Sequence, residues 1–276
     1  MSFNVESIRP AADANKYSRG KLTVVAGSAR YPGAAALAAH ASQRMGAGYT
    51  EVVTDRKAVN IVRLASPSLV VRKFDDWDAK ELPVSKEGKP CAVCIGPGFE
   101  SDAKSGELVA RVLKGTKCPV LIDGGGLAGL GSAKALKRLV KRAERNLPTV
   151  ITPHGGEAAR LARPFNLAVD DPEKLAAGLS LALHAIVVLK GPNTFVADGK
   201  RVEPMRDGTP ALAKAGTGDV LAGMIGALLA QGVDPFEAAL AGARIHAQAG
   251  KEAARRLTDI AVCAEDVLDA IPAVLK

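Results

Sequence analysis

Aromatic residues are scarce in this 276-residue sequence: one Trp, three Tyr and six Phe, 4% of the chain. Its core must therefore come mainly from Ala, Val, Leu and Ile, and no aromatic platform for stacking bases is interleaved with its cations. Long apolar runs are missing too. The longest, such as Val220 to Ala230, is too short to cross a bilayer. The opening MSFNVESIRP lacks the basic-then-apolar order of a secretory leader, so a cytoplasmic location is expected, with no membrane partner. No Pro/Ser-rich linker, low-complexity tract or solenoid-length repeat divides the chain, and residues 1–276 read as a single domain. Nor is there a Walker A sequence, which excludes a P-loop fold.

Cysteine is sparse, with four residues. Cys91 and Cys94 have the C-x-x-C spacing of redox and zinc sites, but no second pair supplies further ligands. Their surroundings, CAVCIG, read as a buried strand that points the two thiols to opposite faces. The cysteines are read as core thiols, and the sequence identifies no metal-ligand set.

What the chain does have is charge and small residues. A composition 47% hydrophobic and 24% charged is that of an ordinary globular protein, while a net charge of +8 attracts anions. The densest basic group, Lys134 to Arg145, lies along one predicted helix and reads as a solvated helix face, with no nucleic-acid partner expected.

Short apolar runs alternate with longer helical ones. Strands are predicted at Leu22–Ser28, Tyr49–Thr54, Leu69–Phe74, Cys91–Gly96, Pro119–Asp123, Thr149–Pro153 and Ala185–Gly191. A hairpin follows in TFVADGKRVEPM, with its turn at Asp198-Gly199. Helices are predicted over GAAALAAHASQRMGAG after the first strand, ending at Gly46 and Gly48, and near 102–114, 132–145, 156–163 and 172–184, then two long ones from Gly218 and Pro235. Continuously apolar strands alternating with helices imply an α/β fold with a mostly parallel sheet covered on both faces.

Six glycine-rich turns, AGSARYPGAA, IGPGF, DGGGL, TPHGGE, LKGPNT and AGTGD, fall between strand and helix. In open α/β sheets ligands bind outside the carboxyl ends of the strands, so these loops should gather on one rim. DGGGLAG also contains a G-x-G-x-x-G at Gly124, Gly126 and Gly129. The acid about twenty residues on, Glu144, falls inside the basic helix, so a dinucleotide-binding Rossmann reading is weak.

Gly216-Thr217-Gly218-Asp219 opens an apolar helix. Free N–H groups and the helix dipole there suit a phosphate, and glycine lets it approach. Asp219 is either an ordinary cap or a base set beside the anion pocket. Lys190, with Gly191 and Thr194, could present a charge and a hydroxyl to phosphates or be a solvated strand end. Glu157, in the first turn after His154, reads as a dipole partner; Thr152 stands five residues before it, so no capping box is expected.

The ordered loops resemble one family, the ADP-dependent NAD(P)H-hydrate dehydratases of the ribokinase-like superfamily. The motifs are VVAGSARYPGAAALAA, GAGYTEVV, IGPGF, TPHGGEAARL, VVLKGPNTFVADG and GTGDVLAGMIGALLAQGVDPFEAALAGARIHAQAG, the last being the most specific. The resemblance implies a three-layer α/β/α domain and an enzyme that restores hydrated NADH or NADPH at the expense of ADP (ATP in some relatives), with Mg²⁺. It implies a homo-oligomer, often a tetramer, and a separate epimerase. It places Ala35, Gly98, His154 and Asp219 at the hydrated nicotinamide. Lys190, Gly191, Pro192, Asn193, Thr194 and Gly218 would hold the adenine nucleotide, and Gly216, Thr217 and Gly218 would form the anion hole around the catalytic Asp219. Two departures stand out. Relatives have an Asp-Ala-Asp-Ala-Leu type segment where this chain has Asp123-Gly124-Gly125-Gly126-Leu127, and Gly155 replaces a more usual proline. A ribokinase-like small-molecule kinase and a non-catalytic nucleotide sensor are the alternative readings.

Overall fold

A strand followed by a helix that carries the chain back must enter the sheet again in the same direction, and this rule builds most of the molecule. The computed structural model describes residues 4–77 and 81–276. The strands are β1 (Lys21–Val25), β2 (Tyr49–Thr54), β3 (Val70–Lys73), β4 (Cys91–Ile95), β5 (Val120–Ile122), β6 (Thr149–Ile151), β7 (Ile186–Leu189), β8 (Thr194–Ala197) and β9 (Val202–Met205). They lie in the order β3-β2-β1-β4-β5-β6-β7-β8-β9, with β1 to β7 parallel and β8 and β9 antiparallel. The chain first builds outward through β2 and β3, then restarts beside β1 with β4. The β1/β4 boundary is thus the switch point at which such sheets open a ligand crevice.

The helices are α1 (Pro32–Arg44), α2 (Val59–Ala65), α3 (Ala103–Gly115), α4 (Ala133–Glu144), α5 (Gly155–Ala162), α6 (Pro172–Leu183), α7 (Thr217–Ala230), α8 (Pro235–Leu257) and α9 (Ala264–Val274). One apolar core joins Leu22, Val24, Cys94, Leu121 and Val188 of the sheet to α1, α7, α8 and α9; the other joins Val25, Val93, Ile95, Ile122 and Val187 to α3, α5 and α6. This is the expected three-layer α/β/α arrangement. Cys91 lies in one core and Cys94 in the other, as strand alternation requires. Cys263 departs from its expected burial: it is exposed, at the start of α9.

Helix α7 is apolar all round because it is sandwiched between β1, β4 and β5 beneath it and α1, α8 and α9 around it. Truncating fully buried Leu228 to Ala would cost about 2–5 kcal/mol. That packing fixes the start of α7, and Asp219 with it, over the carboxyl ends of β4 and β5. The hairpin turn forms as expected: Asp198 accepts from the N–H groups of Lys200 and Arg201 (3.0 and 3.1 Å), and Gly199 adopts φ +82°. Two helices lie outside the sequence expectation. Short α2 buries only Val59 and Val62, too little for a helical period to register, and Pro272 inside α9 reads in sequence as a breaker. Among the described residues, no helix is long and apolar enough to cross a membrane.

Candidate active site

Beyond the strand ends the sheet continues as a row of loop hydrogen bonds. Gly96 N–H donates to Val25 C=O (3.0 Å), Asp123 N–H to Ile95 C=O (3.0 Å), Thr152 N–H to Ile122 C=O (3.2 Å) and Lys190 N–H to Pro153 C=O (2.8 Å). The glycine-rich loops are therefore stitched into one rim from β1 to β7, as their spacing implied. Gly98 sits at the switch point with φ +67°, and a side chain there would meet Ala34 and the Tyr31 carbonyl.

At the centre of the rim is a cluster of charges. Asp123, at the end of β5, is buried; its Oδ1 accepts from Thr152 Oγ1 (2.6 Å) and from Lys190 Nζ (2.7 Å). Burial works to lower the Lys190 pKa, but the Asp123 carboxylate outweighs it and the net direction is upward, so the ammonium stays charged. That ammonium lies 3.4 Å from where a Cβ on Gly218 would be, at the mouth of α7.

The mouth itself is open. Gly216 caps α7 at φ +93°, a conformation glycine adopts without strain, and no side chain caps the helix. Val220 N–H makes the first helical bond, to Gly216 C=O (3.1 Å), and Thr217 N–H turns back to Lys214 C=O (3.4 Å). Thr217 is buried, and its hydroxyl donates inward to Leu212 and Lys214 carbonyls (2.8 and 2.9 Å). The amides left facing the mouth are those of Gly218 and Asp219. Of the three residues assigned to the anion hole, Gly218 thus presents a free N–H, while Gly216 shapes the turn and Thr217 braces it.

Asp219 is half-buried beside this cluster. Burial first, and the Asp123 carboxylate second, raise its pKa to about 7, against an opposing pull from Lys190. An acid poised there loses its proton near neutrality and can take one from a substrate hydroxyl. Beneath the mouth, His246 of α8 is buried in hydrogen-bond contact with the Thr217 backbone; burial lowers its pKa to about 4, keeping it neutral. Nothing in the sequence singles out His246, because it lies mid-helix among alanines.

His154 caps α5. Its Nδ1 accepts from Gly156 N–H (3.0 Å), and Glu157 returns a carboxylate to His154 N–H (2.9 Å). This is a capping box, contrary to expectation, because the cap is His154 itself and not Thr152; Thr152 turns instead to Asp123. The His154 ring remains 58% exposed toward the rim. Lys190 through Thr194 form the turn from β7 into β8, in which Gly191, Pro192 and Asn193 are exposed beside the mouth. Ala35 is different: it is fully buried, packed under Gly27, and presents no surface.

The two departures also have structural counterparts. A side chain on Gly125 would overlap the Phe99 carbonyl, so the loop here is closed down to a spacing only glycine tolerates. Around Gly155 the space is open: a β-carbon added there would have no neighbour within 4 Å.

A family model described as NAD(P)H-hydrate dehydratase matches residues 22–273. The chain belongs to that family. It is 34% identical over 275 residues to an ADP-dependent (S)-NAD(P)H-hydrate dehydratase of Xanthomonas campestris, covering 96% of this chain and 91% of that one. A bifunctional NAD(P)H-hydrate repair enzyme of Gloeobacter violaceus is 37% identical over 261 residues, covering 93% of this chain and 49% of the relative, so the chain spans about half the length of such bifunctional proteins. Among solved structures, the ADP/ATP-dependent NAD(P)H-hydrate dehydratase of Bacillus subtilis, co-crystallised with ATP and Mg²⁺, superposes with a TM-score of 0.82 at 26% identity, covering 99% and 96% of the two chains. A Thermotoga maritima ribokinase, at TM-score 0.52 and 15% identity over 91% of this chain and 99% of that one, shares the fold alone. The fold is ribokinase-like, and family members carry the dehydratase activity.

Proposed function

We propose that this chain is an ADP-dependent dehydratase of hydrated NADH and NADPH, with Asp219 as its base. The observation that carries the reading is the placement of Asp219: a half-buried carboxylate with pKa near 7, at a helix mouth with free amides, one ion pair away from a fixed lysine. In this scheme Asp219 removes the proton from the ring hydroxyl introduced by hydration. The alkoxide attacks the terminal phosphoryl group of ADP, forming a phosphate ester and releasing AMP. Phosphate is a much better leaving group than hydroxide, so the ring then expels it and recovers its double bond. The Gly218 and Asp219 amides and the Lys190 ammonium face the charge that develops on the phosphoryl oxygens.

His154 and Gly98 line the nicotinamide side of the rim, with Ala35 shaping it from below. Lys190 to Thr194 and Gly218 take the adenine nucleotide. Among the described residues no group of three or more His, Cys, Asp or Glu is arranged to hold a metal ion, and Asp123 is committed to Lys190 and Thr152. The side chains therefore do not form a dedicated Mg²⁺ cage. A Mg²⁺ ion would be carried by the nucleotide phosphates and water, as that ion prefers. A homo-oligomer, a tetramer, and a companion epimerase belong to the same reading and rest on the family resemblance; the cytoplasmic location expected from the sequence goes with it.

The test is incubation with hydrated NADH and each nucleotide in turn. Recovery of reduced-nicotinamide absorbance, with one AMP and one phosphate released per turnover on ADP, is the expected result. A stable phosphorylated product would instead mark a small-molecule kinase, and tight nucleotide binding without turnover would mark a sensor.

A further inference from the structure

The basic helix does not behave as a simple solvated face. Arg142 belongs to that face by sequence, yet it is only 3% exposed. Its Nε donates to Thr149 Oγ1 (3.1 Å), Nη1 to Thr116 Oγ1 and C=O (2.9 and 3.4 Å), and Nη2 to the Cys118 and Pro148 carbonyls (2.7 and 3.2 Å). Every partner is neutral. The guanidinium is thus fully hydrogen-bonded but has no counter-charge, and burial lowers its pKa to about 10, which still leaves it charged at neutrality.

Arg142 forms one wall of a cavity of about 440 Å³ between the carboxyl ends of α3 and α4. Lys114, Lys117, Arg138, Lys141 and Arg145 also line it, and among the described residues no carboxylate does. Among the described residues, none of these six cations is in an ion pair. Cations at helix carboxyl ends complement the dipole, but that accounts for one or two of them and not for six around one concavity. The cavity lies at the amino ends of β5 and β6, opposite the rim that holds Asp219. Lys117 and Asp123 are separated by six residues of nearly extended chain, roughly 20 Å.

We propose that this cavity is a second, non-catalytic anion site that binds a small molecule carrying three or more linked phosphates. Its volume is that of a small-molecule site. Five long cationic side chains supply the hydrogen bonds, and Arg142 supplies a fixed charge from below. A single-stranded nucleic acid would call for a groove with aromatic platforms, and among the described residues no aromatic lines the cavity.

The experiment is calorimetric titration of the intact chain with inorganic tripolyphosphate at low salt, with and without saturating ADP to fill the catalytic rim. A site that persists under ADP, and weakens at least tenfold in Arg138→Glu/Lys141→Glu, is expected. The opposite wall, Lys114→Glu/Lys117→Glu, should give the same loss, and unchanged ADP binding in both variants certifies their folds. Tighter binding of ATP than of tripolyphosphate under ADP would identify the source as a nucleotide. The proposal is overturned if ADP abolishes all tripolyphosphate binding, or if both charge reversals leave it within threefold. It is overturned equally if a 20-mer RNA binds through these residues and tripolyphosphate does not.

Discussion

The Lys190 ammonium is held 2.7 Å from the buried Asp123 carboxylate and faces the Gly218 backbone at the mouth of α7. One ion pair thus joins the end of β5 to the end of β7 and sets the field felt by Asp219. Removing one partner leaves the other buried and unpaired. Lys190→Met should cost about 3 kcal/mol of stability, read from the denaturant midpoint at constant m-value. It should also weaken ADP binding.

Asp123→Asn tests the electrostatics of the base. Asp123 raises the Asp219 pKa, while Lys190 lowers it. Neutralising Asp123 removes the repulsion and frees Lys190 to act on Asp219, so both changes push the Asp219 pKa down. In the wild-type chain kcat/KM should fall as pH drops through about 7. In Asp123→Asn that acid limb should move to lower pH; an unmoved limb would mean the titrating base is another group.

Stability should report the same group with the opposite sense. The native Asp219 pKa lies above its unfolded value, so between pH 3.8 and about 7 the native state binds the extra proton. Its contribution therefore makes the protein less stable as pH rises through that window. His246 opposes it: its native pKa is depressed to about 4, so the unfolded state binds the extra proton and stability falls as pH drops from 6.5 to 4. Asp219→Asn should raise stability at pH 8 by about 1–3 kcal/mol and leave it nearly unchanged at pH 4. It should also expose the His246 slope between the two, which thermal melts across that range would record.

Gly155→Pro should stabilise the chain by about 0.4–1 kcal/mol, since the site is the first position of α5, has free space around it and follows an extended residue, His154 at ψ 169°. A loss of stability would show that the α5 corner needs glycine for a reason its surroundings do not reveal.

Much of the architecture is legible in the sequence because its signals are local. Apolar strands, the Asp198-Gly199 turn and the glycine loops each carry their own pattern, and the parallel sheet follows from their alternation. The position of Asp219 at a helix start is equally plain. What sequence does not supply are relationships across it. Asp123 and Lys190 are 67 residues apart and meet only because β5, β6 and β7 are neighbours. His154, not Thr152, caps α5 because Thr152 is drawn to Asp123. The burial of Arg142 depends on the carbonyls of Thr116, Cys118 and Pro148, which converge only once α4 packs across the strand starts. The Gly125 departure reads in sequence as a lost acid and in the fold as a loop closed onto Phe99.

Whether the Asp219 carboxylate takes the substrate's proton is decided by one side-by-side comparison. Turnover of hydrated NADH with ADP and equilibrium binding of ADP would be measured on Asp219→Asn beside the wild-type chain. The expected result is a loss of turnover of at least about 1,000-fold, with ADP affinity held within a few-fold. Turnover within tenfold of wild type, in a variant that still binds ADP, would contradict it.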